Sequence, residues 1–102
     1  TLMELPYYAV IFTSKRTEID ENYSDIATKL VELAQIQDGF LGIESARNEI
    51  GITVSYWKSL EAIKNWKQNL DHLYAQQLGV SKWYEKYTVR IALVEKEYSF
   101  EK

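Results

Sequence analysis

The sequence contains no cysteine and only one histidine among its 102 residues. Without cysteine there can be no disulfide, no thiolate nucleophile and no sulfur-ligated metal, and a single histidine cannot build a multi-histidine metal centre. Long uncharged apolar runs are missing too, which argues against a membrane span, and the opening residues lack the basic and apolar regions of a signal peptide. We therefore expect a cytoplasmic protein without a structural metal.

The sequence also lacks a large excess of charge of either sign. Its 12 basic and 15 acidic residues are interspersed and leave a net charge of −3. Such a chain lacks the basic footprint that binds phosphates, so nucleic acid is not an expected partner. Aromatic residues, by contrast, are abundant, with three Trp, eight Tyr and three Phe making up 14% of the chain. We expect part of this aromatic surface to line a pocket or an interface.

The first half of the chain predicts a strand followed by a helix. Tyr7 to Ser14 is rich in aromatic and β-branched residues, is apolar on both faces, and is followed by a charged turn over residues 15–21. A helix capped by Asp20 is predicted to end at Asp38-Gly39, where glycine closes the last turn. Its apolar stripe has three-four spacing and consists of Tyr23, Ile26, Ala27, Leu30, Val31 and Ala34.

The second half predicts a hairpin, a helix and a last strand. Phe40 to Arg47 and Ile52 to Trp57 flank the turn-forming residues 48–51. Ser59 is a plausible N-cap for a helix with an apolar stripe that continues to Leu78-Gly79. The remaining predicted elements are one turn capped by Ser81 that holds Trp83 and Tyr84, and a strand from Tyr87 to Glu97.

The resulting order, β-α-β-β-α-β, predicts one α+β domain over residues 1–102 with a ferredoxin-like antiparallel sheet and both helices on one face. The helix-free face would expose apolar residues, Val10 or Ile11 and Ile91 or Ala92 depending on the register. A two-fold homodimer that stacks these faces is the simplest way to cover them.

Three segments and one further residue carry a family resemblance. They are Tyr8-Ala9-Val10-Ile11-Phe12, residues 38–45 (DGFLGIES), residues 54–63 (VSYWKSLEAI) and Trp66. Together they resemble the antibiotic biosynthesis monooxygenase (ABM) superfamily, most specifically at the strand ending in Tyr-Trp-x-Ser and the helix that bears Trp66 and His72. The resemblance implies a dimeric α+β barrel. It also implies a diverse range of activities, which includes cofactor-free oxygenation of aromatic compounds and haem degradation.

The leading functional prediction is a cofactor-independent monooxygenase-like protein that acts on a small aromatic or quinol-type compound without metal or flavin. The alternative is a non-catalytic dimeric module that binds a small ligand or serves a stress response. Haem degradation is a third reading that the sequence disfavours. Gln76 stands where the haem-degrading members place the axial histidine, and the first strand offers Thr13 and Ser14 instead of asparagine.

Two residues are the catalytic candidates. His72 is the one side chain whose ordinary pKa lies near neutrality, so it is the natural proton carrier if there is one, although a solvated histidine on an amphipathic helix is the reading that we favour. Trp66 lies on the apolar stripe of the second helix. It is therefore a core residue that can also serve as a pocket wall with one N–H donor.

The predicted ligand contacts are mostly aromatic and come from all parts of the chain. Tyr8 and Phe12, or their alternates Tyr7 and Ile11, would form the pocket floor. Arg90 either pairs with a carboxylate across the dimer, which we favour, or holds an anionic or enolate oxygen. The full set of predicted ligand-binding residues is Tyr8, Phe12, Tyr56, Trp83, Tyr84 and Arg90.

Overall fold

A computed structural model describes residues 4–19, 23–76 and 83–102. The elements are β1 (Tyr7–Arg16), α1 (Tyr23–Gln35), β2 (Phe40–Arg47), β3 (Gly51–Trp57), α2 (Leu60–Gln76) and β4 (Tyr84–Val94). The four strands form one antiparallel sheet in the order β2-β3-β1-β4. The predicted ferredoxin-like α+β arrangement is thereby confirmed, with two helices that cross one face of the sheet.

Strand register assigns each residue of β1 to a face. Tyr8 pairs with Trp57 and lies with the core residues beneath the helices, as do Val10 and Phe12. The alternate residues, among them Tyr7 and Ile11, therefore lie on the helix-free face, since successive side chains of a strand point to opposite sides. The structure thus answers the question of register that the sequence left open.

On the helix-covered face, paired residues of the four strands line up in rows that run across the sheet. Each row takes one residue from β2, β3, β1 and β4 in that order. The four rows are Arg47–Gly51–Ser14–Tyr87, Ser45–Thr53–Phe12–Val89, Ile43–Ser55–Val10–Ile91 and Phe40–Trp57–Tyr8–Leu93.

The core beneath the helices consists of two clusters of buried side chains. The first contains Val10, Ala34, Trp57, Ala62 and Ile63, and the second contains Ile26, Trp83 and Tyr84. Trp57 and Trp83 are the largest fully buried side chains of the described residues. Large aromatic rings contribute much of the burial energy of so small a domain, so these two anchor the helices to the sheet.

Several predicted boundaries were wrong by a few residues because cross-strand pairing overrides local propensity. β1 continues beyond Ser14 to Arg16, which pairs with Tyr84, and an ion pair between Lys15 and Glu85 (3.4 Å) supports the extension. Tyr84 accordingly begins β4, where a helical turn was predicted.

The predicted end of β4 was wrong, whereas one predicted helix cap is confirmed. β4 ends at Val94 instead of Glu97, because its partner strand begins at Tyr7. Ser59 is confirmed as a cap, since its hydroxyl accepts a hydrogen bond from the Ala62 amide at 3.1 Å. The predicted cap Asp20, the Leu78-Gly79 end of α2 and the predicted cap Ser81 lie outside the described residues.

Gly39 connects α1 to β2 in a left-handed conformation, with a φ of 90°. A Cβ at this position would lie 2.7 Å from Cβ of Ala62, too close for any side chain. Its carbonyl accepts a hydrogen bond from the Lys58 amide at 2.8 Å, which ties the end of β3 to this turn. Gly39 therefore lets the start of α2 approach the start of β2.

Among the described helices, neither is both long and apolar enough to cross a membrane.

Candidate functional site

Two stacked tryptophans occupy one end of the helix-covered face. The Trp57 and Trp66 ring centroids are 5.0 Å apart with an interplanar angle of 28°. The Trp57 indole N–H donates to Oγ of Ser55 at 2.9 Å. The Trp66 indole N–H is buried but has no acceptor among the residues that the structure describes. A buried donor without an acceptor is costly, so a ligand oxygen that reached this N–H would form a hydrogen bond that the described residues do not provide.

A row of apolar side chains on β4 remains half exposed although it faces the helix side of the sheet. Tyr87, Val89, Ile91 and Leu93 expose 47 to 52% of their surfaces. Residues on this face are expected to be buried, so the described helices leave the outer strand uncovered. Tyr8 pairs with Leu93 in the row at the Trp57 end. We call the surface formed by Tyr8, Phe12 and these four β4 residues the β4 cleft.

The opposite end of the β4 cleft is closed by a second aromatic group. The Phe12 ring stacks on Tyr87, with centroids 5.4 Å apart and an interplanar angle of 29°, and meets Tyr84 edge-on at the same distance. The Tyr84 hydroxyl lies 3.3 Å from that of Tyr23 on α1. Trp83 exposes only 1% of its surface. Trp83 and Tyr84 thus form the wall behind Phe12 and Tyr87.

The structure does not bring all predicted site residues together. Tyr8, Phe12, Trp66, Trp83 and Tyr84 lie on the helix-covered face. Tyr56 and Arg90 lie on the helix-free face, since they pair with Ala9 and Ile11. His72 is exposed on α2, and a helix rotates by about 100° per residue, which turns it well away from Trp66. The binding and catalytic roles of these residues stay predictions.

On the helix-free face, two tyrosines each donate a hydrogen bond to a glutamate. The Tyr7 hydroxyl donates to Glu97 and the Tyr56 hydroxyl donates to Glu44, both at 2.7 Å. The two rings meet edge-on with centroids 5.7 Å apart. The hydrogen bond to Glu97 and then burial raise the pKa of Tyr7 to about 12, and the hydrogen bond to Glu44 and then burial do the same for Tyr56. Both phenols are therefore poor proton donors near neutrality.

Sequence reasoning missed the outer surface of β4. The alternation of Val89, Ile91 and Leu93 was visible, but nothing in the sequence shows that the helices leave this edge strand uncovered. It also missed the hydrogen bond of Arg47 to Ser14 across the sheet. A signal for it exists in Gly51, since glycine in a strand often marks the close approach of another group.

No cluster of three or more metal-binding side chains occurs within residues 4–19, 23–76 and 83–102.

No protein-family model matches the sequence. One curated protein, the uncharacterized protein YqjZ of Bacillus subtilis, is 48% identical over 100 residues, which cover 96% of this chain and 88% of YqjZ. This chain and YqjZ belong to one family. The relationship extends over nearly the whole chain and therefore includes both faces of the sheet.

Solved structures extend the comparison to the fold. A proposed antibiotic biosynthesis monooxygenase from Nitrosomonas europaea superposes with a TM-score of 0.67 at 12% identity, covering 90% of this chain and 92% of its own. SnoaB, a cofactor-independent oxygenase from Streptomyces nogalater, superposes with a TM-score of 0.62 at 9% identity, covering 95% and 98%. The YqjZ-family chain thus has the fold of the ABM proteins, as the sequence resemblance implied.

Proposed function

We propose that this protein is a monooxygenase-like enzyme of the ABM type that binds a small aromatic or quinol-type compound in the β4 cleft. The observation that carries the proposal is the buried indole N–H of Trp66, which lacks an acceptor among the described residues and lies in the core cluster that Tyr8 also joins. Tyr8 in turn pairs with Leu93, which is the residue of the exposed row at the Trp57 end. An aromatic surface near an indole N–H that no described residue accepts fits a planar ligand that carries an oxygen atom.

In this proposal the substrate supplies the electrons for its own oxidation. A ring CH₂ that is conjugated with a carbonyl, as across the central ring of an anthrone, loses a proton to give an enolate, which transfers electrons to O₂. One oxygen atom becomes a new ring carbonyl, and the other leaves as water with the two hydrogens of the CH₂. The Trp66 N–H would stabilise the enolate oxygen, and the aromatic rings would hold the planar substrate by stacking. The proton acceptor is His72 or a water molecule.

Oxygen consumption with anthrone tests this proposal, because anthrone has a ring CH₂ of the required acidity and yields anthraquinone and water. The Trp66→Phe variant keeps an aromatic ring in the stack but loses the N–H, so we expect slower turnover with folding intact. Retained turnover in His72→Ala would assign the proton transfer to water. Tyr98→Phe is the matched control, since Tyr98 is 94% exposed outside the cleft. Wild-type turnover in both Trp66→Phe and His72→Ala would remove both residues from the mechanism.

The second candidate is a non-catalytic protein that binds a small hydrophobic ligand in the same cleft. The exposure of His72 favours this function, because the one residue with an ordinary pKa near neutrality does not face Trp66. Mass spectrometry of the purified protein would identify a ligand that co-purifies. Ligand binding without oxygen consumption would support this candidate over the enzyme.

We also propose that the protein is a homodimer joined by the helix-free faces. Glu44 and Arg90 occupy the two ends of one cross-strand row on this face, with Val54 and Ile11 between them. A two-fold axis parallel to the strands exchanges the two ends of the row. Each Glu44 would then face Arg90 of the other copy, so that two complementary pairs flank an apolar centre.

A further inference from the structure

The hairpin end of the sheet carries basic side chains around an open cavity of about 500 Å³. The residues that line it are Lys15, Arg16, Arg47, Asn48 and Glu49. Three cations and one carboxylate therefore line this cavity, and Lys15 is also paired with Glu85 at 3.4 Å, so the charge around the cavity stays positive although the chain as a whole has a net charge of −3. A local excess of positive charge in an acidic protein favours an anionic ligand.

The Arg47 side chain is positioned by Ser14 and Gly51. Its side chain crosses β3 above Gly51, and its Nη2 donates to Oγ of Ser14 at 2.5 Å. A Cβ on residue 51 would lie 2.1 Å from the guanidinium, so the missing side chain of Gly51 creates the space that Arg47 occupies. Ser14 is buried, whereas Arg47 itself is exposed. A guanidinium has five N–H donors and the bond to Ser14 uses one of them, so Arg47 can bind an oxyanion without releasing Ser14.

Arg16 is held by different contacts at the other side of the cavity. Its guanidinium lies 3.4 Å above the centre of the Tyr23 ring, and its Nη2 donates to the Ile19 carbonyl at 2.9 Å. A cation over an aromatic face loses part of its conformational freedom before any ligand arrives. Arg16 therefore brings a fixed positive charge to the cavity, while Arg47, which makes one side-chain hydrogen bond to Ser14, is the guanidinium that can bind an oxyanion with two hydrogen bonds.

The basic cavity also adjoins the aromatic end of the β4 cleft. Arg47, Gly51, Ser14 and Tyr87 form one cross-strand row, and neighbouring strands are about 5 Å apart. The Tyr87 ring stacks on Phe12. A group bound by the Arg47 guanidinium near Ser14 would thus lie roughly one strand spacing from the exposed ring of Tyr87. This separation matches that between an acidic substituent and the ring that bears it.

We propose that Arg47, beside the positive charge of Arg16, forms an oxyanion site that takes the carboxylate of an aromatic acid whose ring lies on Tyr87. The inference names the substrate class of the β4 cleft and so rests on the proposed function for its biological meaning. The binding step itself requires no oxygen chemistry. Arg47 is a binding residue in this proposal, and Gly51 and Ser14 position it.

Calorimetric titration with 2-naphthoate and with neutral 2-naphthamide tests the site. Wild-type protein should bind 2-naphthoate more tightly, and Arg47→Met should weaken that binding about tenfold or more, the loss expected for a charge-assisted hydrogen bond. Affinity for 2-naphthamide should stay the same. Lys64→Met removes an equal charge from the exposed side of α2 and should leave both affinities unchanged.

Two further measurements keep the result interpretable. Circular dichroism establishes whether Arg47→Met folds, and Arg47→Lys, which keeps the charge but loses the fork of N–H donors, should bind 2-naphthoate more weakly than wild type. Equal affinity of wild-type protein for the two compounds, or equal weakening by Lys64→Met, would overturn the oxyanion site. Arginine-dependent binding of 2-naphthoate, together with no oxygen consumption when anthrone is the substrate, would retain the site and reject the oxygenase function. Turnover without arginine-dependent binding would do the reverse.

Discussion

The Trp57 and Trp66 rings stack face to face, yet only the Trp57 indole N–H has an acceptor among the described residues. Trp57 is fully buried and bonds to Ser55, which is buried as well. Trp66 is half buried, and within residues 4–19, 23–76 and 83–102 its N–H has no acceptor. One ring of the pair therefore packs entirely in the core, whereas the other combines a core contact with an N–H that no described residue accepts.

This difference predicts unequal costs of the same substitution. Trp57→Phe leaves a cavity and deprives a buried hydroxyl of its donor, so we expect it to lower the free energy of unfolding by about 2–4 kcal/mol. Trp66→Phe removes a donor that lacks an acceptor, so its cost should be about 1–2 kcal/mol. Urea denaturation followed by circular dichroism measures both. Equal losses in the two variants would show that the Trp66 N–H is satisfied in the folded protein.

Gly39 provides a test of the junction between α1 and β2. Gly39→Ala combines a left-handed backbone with a Cβ 2.7 Å from Ala62, so we expect a loss of about 2 kcal/mol or more. Gly42→Ala is the matched control, since its Cβ would lie 3.8 Å from Tyr56 in ordinary contact. Thermal or urea unfolding of the two variants makes the comparison. A Gly39→Ala variant as stable as Gly42→Ala would contradict the described turn.

The sequence predicted the order of elements because each one carries a local signal. The alternation in β1, the three-four stripe from Tyr23 to Ala34 and the turn before Gly51 depend only on neighbouring residues. The strand ends were missed because pairing between distant residues sets them. Arg16 extends β1 by pairing with Tyr84, and no local pattern contains that information.

The site was less predictable than the fold for a related reason. Whether Tyr7 or Tyr8 faces the helices depends on the register of β1 against β3, and a shift of one residue reverses every face. Tyr56 and Arg90 were grouped with the pocket residues by chemical type, but they lie across the sheet from Phe12. The exposure of Ile91 arises from where the helices lie on the sheet, which periodicity does not encode.

The two tyrosines on the helix-free face predict a defined alkaline transition. Because Tyr7 and Tyr56 have pKa values of about 12, the folded protein keeps their protons above pH 10, where an unfolded chain releases them. The unfolded state then binds fewer protons, so stability is full below pH 10 and falls between pH 10 and 12. Absorbance at 295 nm should show two of the eight tyrosines ionising late.

Single substitutions identify these late phenols. Tyr7→Phe and Tyr56→Phe should each remove one late-ionising group, and the double variant should remove both. Stability of the double variant should also depend less on pH between 10 and 12. Tyr98→Phe is the control, since that exposed ring makes no described contribution to the face. A late phase that persists in the double variant would assign it to other tyrosines.

The row that joins Glu44 to Arg90 predicts how charge reversal changes the proposed dimer. The two residues are separated by about 14 Å within one chain, three strand spacings, so their direct interaction there is largely screened. In the proposed dimer each faces its counterpart on the other copy. Arg90→Glu would oppose two carboxylates at both ends of the interface, so we expect the dissociation constant to rise about tenfold.

The double variant Glu44→Arg with Arg90→Glu distinguishes pairing from a general effect of charge. It restores opposite charges at both ends of the row, so its dissociation constant should return toward the wild-type value, even though Tyr56 loses its acceptor. Sedimentation equilibrium at micromolar concentrations measures all three proteins. A double variant as weak as Arg90→Glu would place the two-fold axis in another direction. A wild-type protein that sediments only as a 12.0 kDa particle would reject the dimer, because the helix-free face would then be stable in water alone.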